Sequence, residues 1–93
     1  MININNQELN KIKQKAIEEK IPIIMDDTLE IIEKYLKDLK PKRILEIGTA
    51  VGYSAICFSK FLLENGKIDT IERDEIRVLE AKENIKKLRL EDT

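Results

Sequence analysis

The feature that most constrains the fold is a pair of short runs with alternating apolar residues, at 43–47 and 67–72. A glycine turn and a longer apolar segment separate the two runs. The first run is rich in β-branched residues and suits a buried strand of a parallel sheet, and 67–72 is predicted to be the second strand. Between them, 48–52 is predicted to be a turn, and 53–64 a helix closed by Asn65-Gly66. Because parallel strands need such a crossover, the segment predicts one βαβ unit.

Helical periodicity marks the segments on either side of this unit. Residues 7–20 carry one apolar stripe, and Ile21-Pro22 is expected to end that helix. A second helix is predicted to start at Asp26 or Asp27, either of which can cap it, with Glu30 completing a capping box. A last helix is expected to follow its cap at Asp74. The side chains expected to be buried are Met25, Leu29, Ile32, Leu36 and Leu39 in the second helix, and Val78, Ala81, Ile85 and Leu88 in the last.

The order of these elements indicates an α/β protein with only two strands. Parallel sheets are normally covered on both faces and contain five or more strands. The chain of 93 residues is therefore expected to hold an incomplete sheet, with the missing part following Thr93.

Composition removes several classes of function. The 17 Lys and Arg balance 18 Asp and Glu, so no strong field attracts nucleic acid or anionic lipid; charge does not favour an RNA substrate, but it does not exclude one. Neither a signal sequence nor a run of about 18 apolar residues is present, and a cytoplasmic location is expected. Histidine is absent, which removes the commonest general base. The lone cysteine, Cys57, is expected to pack in the core as a small hydrophobe, since no histidine can activate it.

The turn between the first strand and its helix is the candidate ligand site. Gly48 allows a sharp turn off the strand, and Gly52 allows close approach where the helix begins. Ser54 adds a hydroxyl, and Glu72 ends the second strand at an offset that suits an acceptor for ribose hydroxyls. The turn lacks the G-x-G-x-x-G of dinucleotide sites, which disfavours a nicotinamide-dinucleotide-binding half-domain. Glu46 is a candidate site residue, although an ion pair with Arg43 or Lys42 is an equally simple role for it.

The segment Glu46-Ile-Gly-Thr-Ala-Val-Gly-Tyr-Ser54 resembles the first motif of class I S-adenosylmethionine-dependent O-methyltransferases. Its form is that of the cation-dependent family of catechol and caffeoyl-CoA O-methyltransferases and their bacterial members. The similarity extends to Ile21–Asp27 and to Ile71–Asp74. The resemblance implies a Rossmann-like methyltransferase fold, with an N-terminal helical segment at 1–40 and the first half of the cofactor-binding domain at 41–93. Arg89 departs from the family, in which a glycine often follows the last helix.

The resemblance also implies a role for each residue of the site. Gly48 and the rest of the turn would hold the methionine amino group, with Glu46 in the same pocket. Ser54 and nearby amides would take the carboxylate, Glu72 the ribose hydroxyls, and Arg73 would lie along the adenine. The implied cofactor-binding residues are Ile23, Ile24, Glu46, Gly48, Thr49, Ala50, Gly52, Tyr53, Ser54, Glu72 and Arg73.

The function implied is methyl transfer from S-adenosylmethionine to an oxygen acceptor, which could be a small phenol, a coenzyme A ester or a tRNA nucleoside. A divalent cation, Mg²⁺, would be needed by the full-length protein, and its ligands would lie beyond this sequence. The segment alone is therefore expected to be inactive, and a non-catalytic interaction module is the remaining alternative. Since both strands would be edges, we also expect a homodimer or higher self-association.

Overall fold

The computed structural model describes residues 4–88 and Leu90 and contains each of the predicted helices and strands. The predicted departure at Arg89 lies outside the described residues. No helix in the described part of the chain is long and apolar enough to cross a membrane. The elements are α1 (Asn6–Glu18), α2 (Asp26–Leu39), β1 (Arg43–Ile47), α3 (Tyr53–Ser59), β2 (Lys67–Ile71) and α4 (Glu75–Lys87).

The two strands form a parallel pair, as the βαβ prediction requires. Their register runs from Arg43 opposite Lys67 to Ile47 opposite Ile71. The face that carries Ile44 and Ile68 packs against the core. The prediction of fully buried strands is wrong for the other face, where Ile47 is 82% exposed, because the described helices pack on one side of the sheet.

The helix after β1 is shorter than predicted and ends at Ser59 instead of 64. The N–H of Phe61 donates to the carbonyl of Phe58 (3.0 Å), and the N–H of Leu62 donates to the carbonyl of Ser59 (3.3 Å). These three-residue bonds tighten the chain into turns and stop the helix. Asn65 takes the left-handed conformation expected of it (φ 63°), but within a turn and not at the helix cap.

The start of α2 also differs from the prediction. Met25 is the N-cap residue and makes no side-chain cap bond, so the predicted capping box does not form. Asp26 instead pairs with Lys13 of α1 (2.8 Å), and Asp27 accepts from the N–H of Thr28 (2.8 Å). Both candidate caps are therefore engaged by other donors.

The core lies where α1, α2 and α3 meet one face of the sheet, with α3 at its centre. Ile56 and Cys57 of α3 are almost completely buried, which confirms the packing role predicted for the cysteine. In α2 the middle of the predicted stripe packs against this core, but Met25 and Leu39 at its ends are each 71% exposed. The buried core consists of Ile12, Ala16, Ile21, Leu29, Val51, Tyr53, Ile56, Cys57, Phe58 and Leu90.

Helix α4 begins at its predicted cap, but of the four side chains expected to be buried only Ala81 is, while Val78, Ile85 and Leu88 are half-buried. Asp74 caps it by accepting from the N–H of Ile76 (3.0 Å). Ala81 is buried at 3% exposure, while Ile85 and Leu88 pack against the core. Ala81 of this helix lies beside Gly52, in the turn that follows β1, where the candidate site is.

Candidate functional site

The turn after β1 is built from three residues with left-handed backbone angles: Gly48 (φ 91°), Ala50 (φ 48°) and Gly52 (φ 87°). The N–H groups of Gly48 and Thr49 both donate to the carbonyl of Ile71, at 2.7 and 3.1 Å. These bonds join the turn to the end of β2. A Cβ at position 48 would meet nothing within 4 Å, so the backbone there is open to a ligand.

Gly52 has a different role, because it faces α4. A Cβ built on it would lie 3.4 Å from the Cβ of Ala81. Asn84, one turn further along α4, donates from its side-chain nitrogen to the carbonyl of Val51 (2.8 Å). Helix α4 therefore supports the turn from behind, and Gly52 lets the two backbones approach.

Glu46 is held by hydroxyl groups from two directions. The Ser54 hydroxyl donates to one oxygen of its carboxylate, and the Thr70 hydroxyl lies 3.0 Å from the other. Thr70 in turn makes a 2.6 Å hydrogen bond with the Thr49 hydroxyl. Arg43 pairs with Asp69 (2.7 Å) on the opposite face of the sheet, so the alternative ion pair of Glu46 with Arg43 does not form.

The environment of Glu46 acts on its ionisation in both directions. Burial raises the pKa of this carboxyl, while the hydrogen bonds from Ser54 and Thr70 lower it. Burial dominates, so the pKa of Glu46 lies above its ordinary value. A cation placed beside it would favour the ionised form.

Glu72 bridges the tips of the two strands. One carboxylate oxygen accepts from the N–H of Ala50 (2.8 Å), and the other accepts from the N–H of Asp74 (3.0 Å). The bonds from Asp74 and Ala50 hold the pKa of Glu72 below its ordinary value. Glu72 is therefore a fixed anion, with lone pairs still free on both oxygens.

A cavity of about 330 Å³ opens at the tip of β1. Glu46 is the charged side chain among the residues that line it. Eight of the predicted site residues line this cavity: Ile23, Ile24, Glu46, Gly48, Thr49, Ala50, Tyr53 and Ser54. The structure thus brings the segment before α2 and the turn after β1 together around one space.

Three of the predicted site residues lie elsewhere. Glu72 lines an adjoining cavity of about 360 Å³, which shares Thr49 with the first. Gly52 is buried against α4, and Arg73 is exposed. The predicted site is therefore two adjoining cavities that meet at Thr49.

Tyr53, which lines the first cavity, and Cys57, one turn further along α3, are both buried. Burial raises the pKa of Tyr53 well above its ordinary value. Burial also raises the pKa of the Cys57 thiol to about 11. Both groups stay neutral near pH 7, which suits packing and not nucleophilic chemistry.

Sequence reasoning missed Thr70 and Asn84, which hold the site together. Thr70 lies two residues before Glu72, but only the pairing of the two strands places it opposite Glu46. Asn84 carries no local signal, since it lies among charged residues on α4 and reaches the turn only through the tertiary fold.

A parallel pair with a glycine turn after its first strand and an acidic residue at the end of its second defines a Rossmann-like nucleotide-binding class. The chain belongs to the family described as Protein-L-isoaspartate(D-aspartate) O-methyltransferase (PCMT), whose model matches residues 5–93. The O-methyltransferase resemblance is confirmed at this level.

Solved structures give the same fold. A Staphylococcus aureus protein assigned as a caffeoyl-CoA O-methyltransferase is 32% identical with a TM-score of 0.83, covering 90% of this chain and 40% of that one. A Bacillus cereus O-methyltransferase in complex with S-adenosylhomocysteine is 26% identical with a TM-score of 0.81, covering 95% and 41%. A Klebsiella pneumoniae protein assigned as an O-methyltransferase is 26% identical with a TM-score of 0.76, covering 89% and 39%. The predicted fold class is confirmed, and this chain spans about 40% of the length of these proteins.

Proposed function

We propose that this chain is the S-adenosylmethionine-binding part of an O-methyltransferase of the cation-dependent catechol and caffeoyl-CoA type. The observation that carries the proposal is the cavity at the tip of β1, where the half-buried carboxylate of Glu46 is the charged group among otherwise uncharged lining residues. Such a space suits a ligand that brings its own positive charge. S-adenosylmethionine carries an ammonium group and a sulfonium. The S-adenosylhomocysteine complex of the Bacillus cereus protein supports this choice.

In this proposal the amino-acid end of the cofactor occupies the first cavity. Gly48 and the turn approach the ammonium group, and Glu46 pairs with it. Ile23 and Ile24 close the cavity from the segment before α2. Ser54 donates its one proton to Glu46 in this structure, so it contacts the ligand carboxylate only after that bond exchanges.

The nucleoside end lies across the tip of β2. Glu72 is already oriented by the N–H groups of Ala50 and Asp74, and its free lone pairs accept from the two ribose hydroxyls. Arg73, which is exposed beside it, lies along the adenine. The shared residue Thr49 marks where the two ends of the ligand join.

The chemistry proposed is transfer of a methyl group to an oxygen atom. The family description names a protein isoaspartate and the Staphylococcus aureus protein is assigned to a caffeoyl-CoA ester, so the common element is an oxygen acceptor. The contribution of this chain is to hold the sulfonium in a fixed place for in-line attack. We propose that a small phenol, a coenzyme A ester or a tRNA nucleoside is the acceptor in the whole protein.

A divalent cation is proposed for the whole protein on the family resemblance alone. Within residues 4–88 and Leu90, no three His, Cys, Asp or Glu side chains come together as a metal site. The described residues thus do not fit this ion. We expect the 93-residue chain by itself to bind cofactor without transferring methyl groups.

A cytoplasmic location and self-association are part of the same proposal. The lone cysteine is a free thiol, which fits a reducing compartment. Leu45, Ile47 and Ile71 are more than half exposed on one face of the sheet, and each described strand has one unpaired edge. Exposed apolar surface beside open strand edges favours pairing with a second copy.

Isothermal titration of the 93-residue chain tests the binding function. We expect S-adenosylhomocysteine to bind and NAD not to bind, because the turn lacks the glycine spacing that a dinucleotide needs. Adenosine is the control for binding through the base alone. Tighter binding of NAD than of S-adenosylhomocysteine would reject the proposal in favour of a nicotinamide half-domain.

A further inference from the structure

Thr70 connects the two cavities through hydrogen bonds. Its hydroxyl oxygen lies 3.0 Å from the carboxylate of Glu46 and 2.6 Å from the hydroxyl of Thr49. A carboxylate can only accept and a hydroxyl has one proton, so Thr70 donates to Glu46. Thr49 must then be the donor to Thr70. The protons therefore run in one direction, from Thr49 through Thr70 to Glu46.

The two oxygens of Glu46 receive hydroxyl donors from different elements. Thr70 of β2 serves one oxygen and Ser54 of α3 serves the other. Two donors fix the plane of the carboxylate and favour its ionised form against burial. Without Thr70, one oxygen would lose its protein partner and burial would act with less opposition.

The other ionisable groups around Glu46 are few and are engaged elsewhere. Tyr53 lines the same cavity and stays neutral, with Asp26 and Glu33 acting on it from the side of α2. Glu72 lies just after the end of β2 and is bonded to backbone N–H groups. The charged residues inside the two strands otherwise lie on the opposite face, where Arg43 pairs with Asp69 and Lys67 is also exposed.

We propose that Thr70 is a positioning residue that keeps Glu46 ionised and oriented toward the ammonium group of the cofactor. The inference rests on the proposed function, because it concerns the amino-acid end of that ligand. Through Glu46, Thr70 would favour the binding of ligands that carry an amine. Thr70 need not touch the ligand for this effect.

Substitution of Thr70 in the 93-residue chain tests the assignment. Thr70→Val keeps the branched shape but removes the hydroxyl, and Thr70→Ser keeps the hydroxyl. The ligands are S-adenosylhomocysteine, its decarboxylated analogue, which retains the amine, and 5′-methylthioadenosine, which has neither amine nor carboxylate. We expect Thr70→Val to bind the first two roughly tenfold more weakly, the effect of one hydrogen bond at a charged group, and 5′-methylthioadenosine equally well. Thr70→Ser should restore binding, and Thr28→Val, on the exposed start of α2, should change none of the three.

A pH titration separates this role from a general effect on folding. Carbon-13 NMR of the Glu46 carboxyl should show a higher pKa in Thr70→Val than in the wild type, without any ligand. The pH below which S-adenosylhomocysteine affinity falls should rise in the same variant. An unchanged Glu46 pKa, or an equal loss of affinity for 5′-methylthioadenosine, would overturn the role of Thr70 while leaving the proposed function intact. Failure of the wild-type chain to bind any of the three ligands would overturn both.

Discussion

Replacing Gly66 by alanine should destabilise this protein more than replacing Gly48 of the site turn. Gly66 is buried just before β2, and its backbone angle is not left-handed. An alanine Cβ there would lie 2.8 Å from the carbonyl oxygen of Leu63, and 2.9 Å from both the Leu62 Cβ and the Lys42 carbonyl oxygen. Real Cβ atoms are essentially never found so close to other heavy atoms, and two of these three are backbone atoms that cannot rotate away.

The loss of folding stability in Gly66→Ala depends on which backbone atoms must move to make room for the Cβ. The Leu63 oxygen accepts the N–H of Gly66, and the Lys42 oxygen accepts the N–H of Lys67, each at 2.8 Å. A shift that relieves the clash loses at least one of these bonds, at about 1 kcal/mol. Overpacking of a tight site adds roughly 1 to 3 kcal/mol. The total of about 2 to 4 kcal/mol corresponds to a fall in Tm of roughly 10 to 30 °C in a domain of this size.

Thermal and urea unfolding followed by circular dichroism at 222 nm measure this effect. Gly48→Ala is the matched control. A Cβ at position 48 would meet nothing within 4 Å, but residue 48 has a left-handed backbone angle. That substitution should cost only about 1 to 2 kcal/mol, from backbone strain alone. If Gly66→Ala were no less stable than Gly48→Ala, the steric argument would be refuted.

Three further predictions concern the site and the surface. Glu72→Ala should weaken S-adenosylhomocysteine binding at least roughly tenfold, because two ribose hydroxyls lose a charged acceptor. Isothermal titration measures this against Glu30→Ala, and an unchanged Kd would remove Glu72 from the site. Burial raises the pKa of Glu46, so the folded state binds the Glu46 proton more tightly than the unfolded state does. The contribution of this proton to folding stability is complete below the unfolded-state pKa and is lost as pH rises through the folded-state pKa. Wild-type stability relative to Glu46→Gln should therefore fall with rising pH in that window, and a rise measured by urea unfolding would contradict the assignment. Sedimentation equilibrium at micromolar concentration should show a dimer or larger species that Ile47→Lys weakens, whereas a clean monomer mass with cooperative unfolding would disprove self-association.

The local sequence predicted the elements well where the pattern and the chemistry acted over a few residues. The β-branched runs specified both strands, and Asp74 specified the start of α4, because a short side chain bonds the helix beside it. The same reasoning failed at Asp26. Its side chain pairs with Lys13, which is distant in sequence and was brought to it by packing of α1 on the core.

Within the site, the sequence determined which residues take part but not how they are connected. The motif from Glu46 to Ser54 indicated the turn, and six of its predicted residues line one cavity together with Ile23 and Ile24. The carboxylate of Glu46 has several possible partners by sequence, including Arg43. Only the pairing of β1 with β2 decided that Thr70 is its partner, since the register of parallel strands is a long-range property.

The sequence by itself therefore determined a βαβ unit with a ligand-binding turn, because strand propensity, glycine angles and helix caps are local effects. The tertiary structure alone decided that the strands are covered on one face, that Glu72 is oriented by Ala50, and that Asn84 supports the turn from α4. Each of these contacts joins residues more than twenty positions apart or depends on which elements pack together. Hydrogen bonds and burial of this kind depend on distances in space that no local sequence pattern specifies.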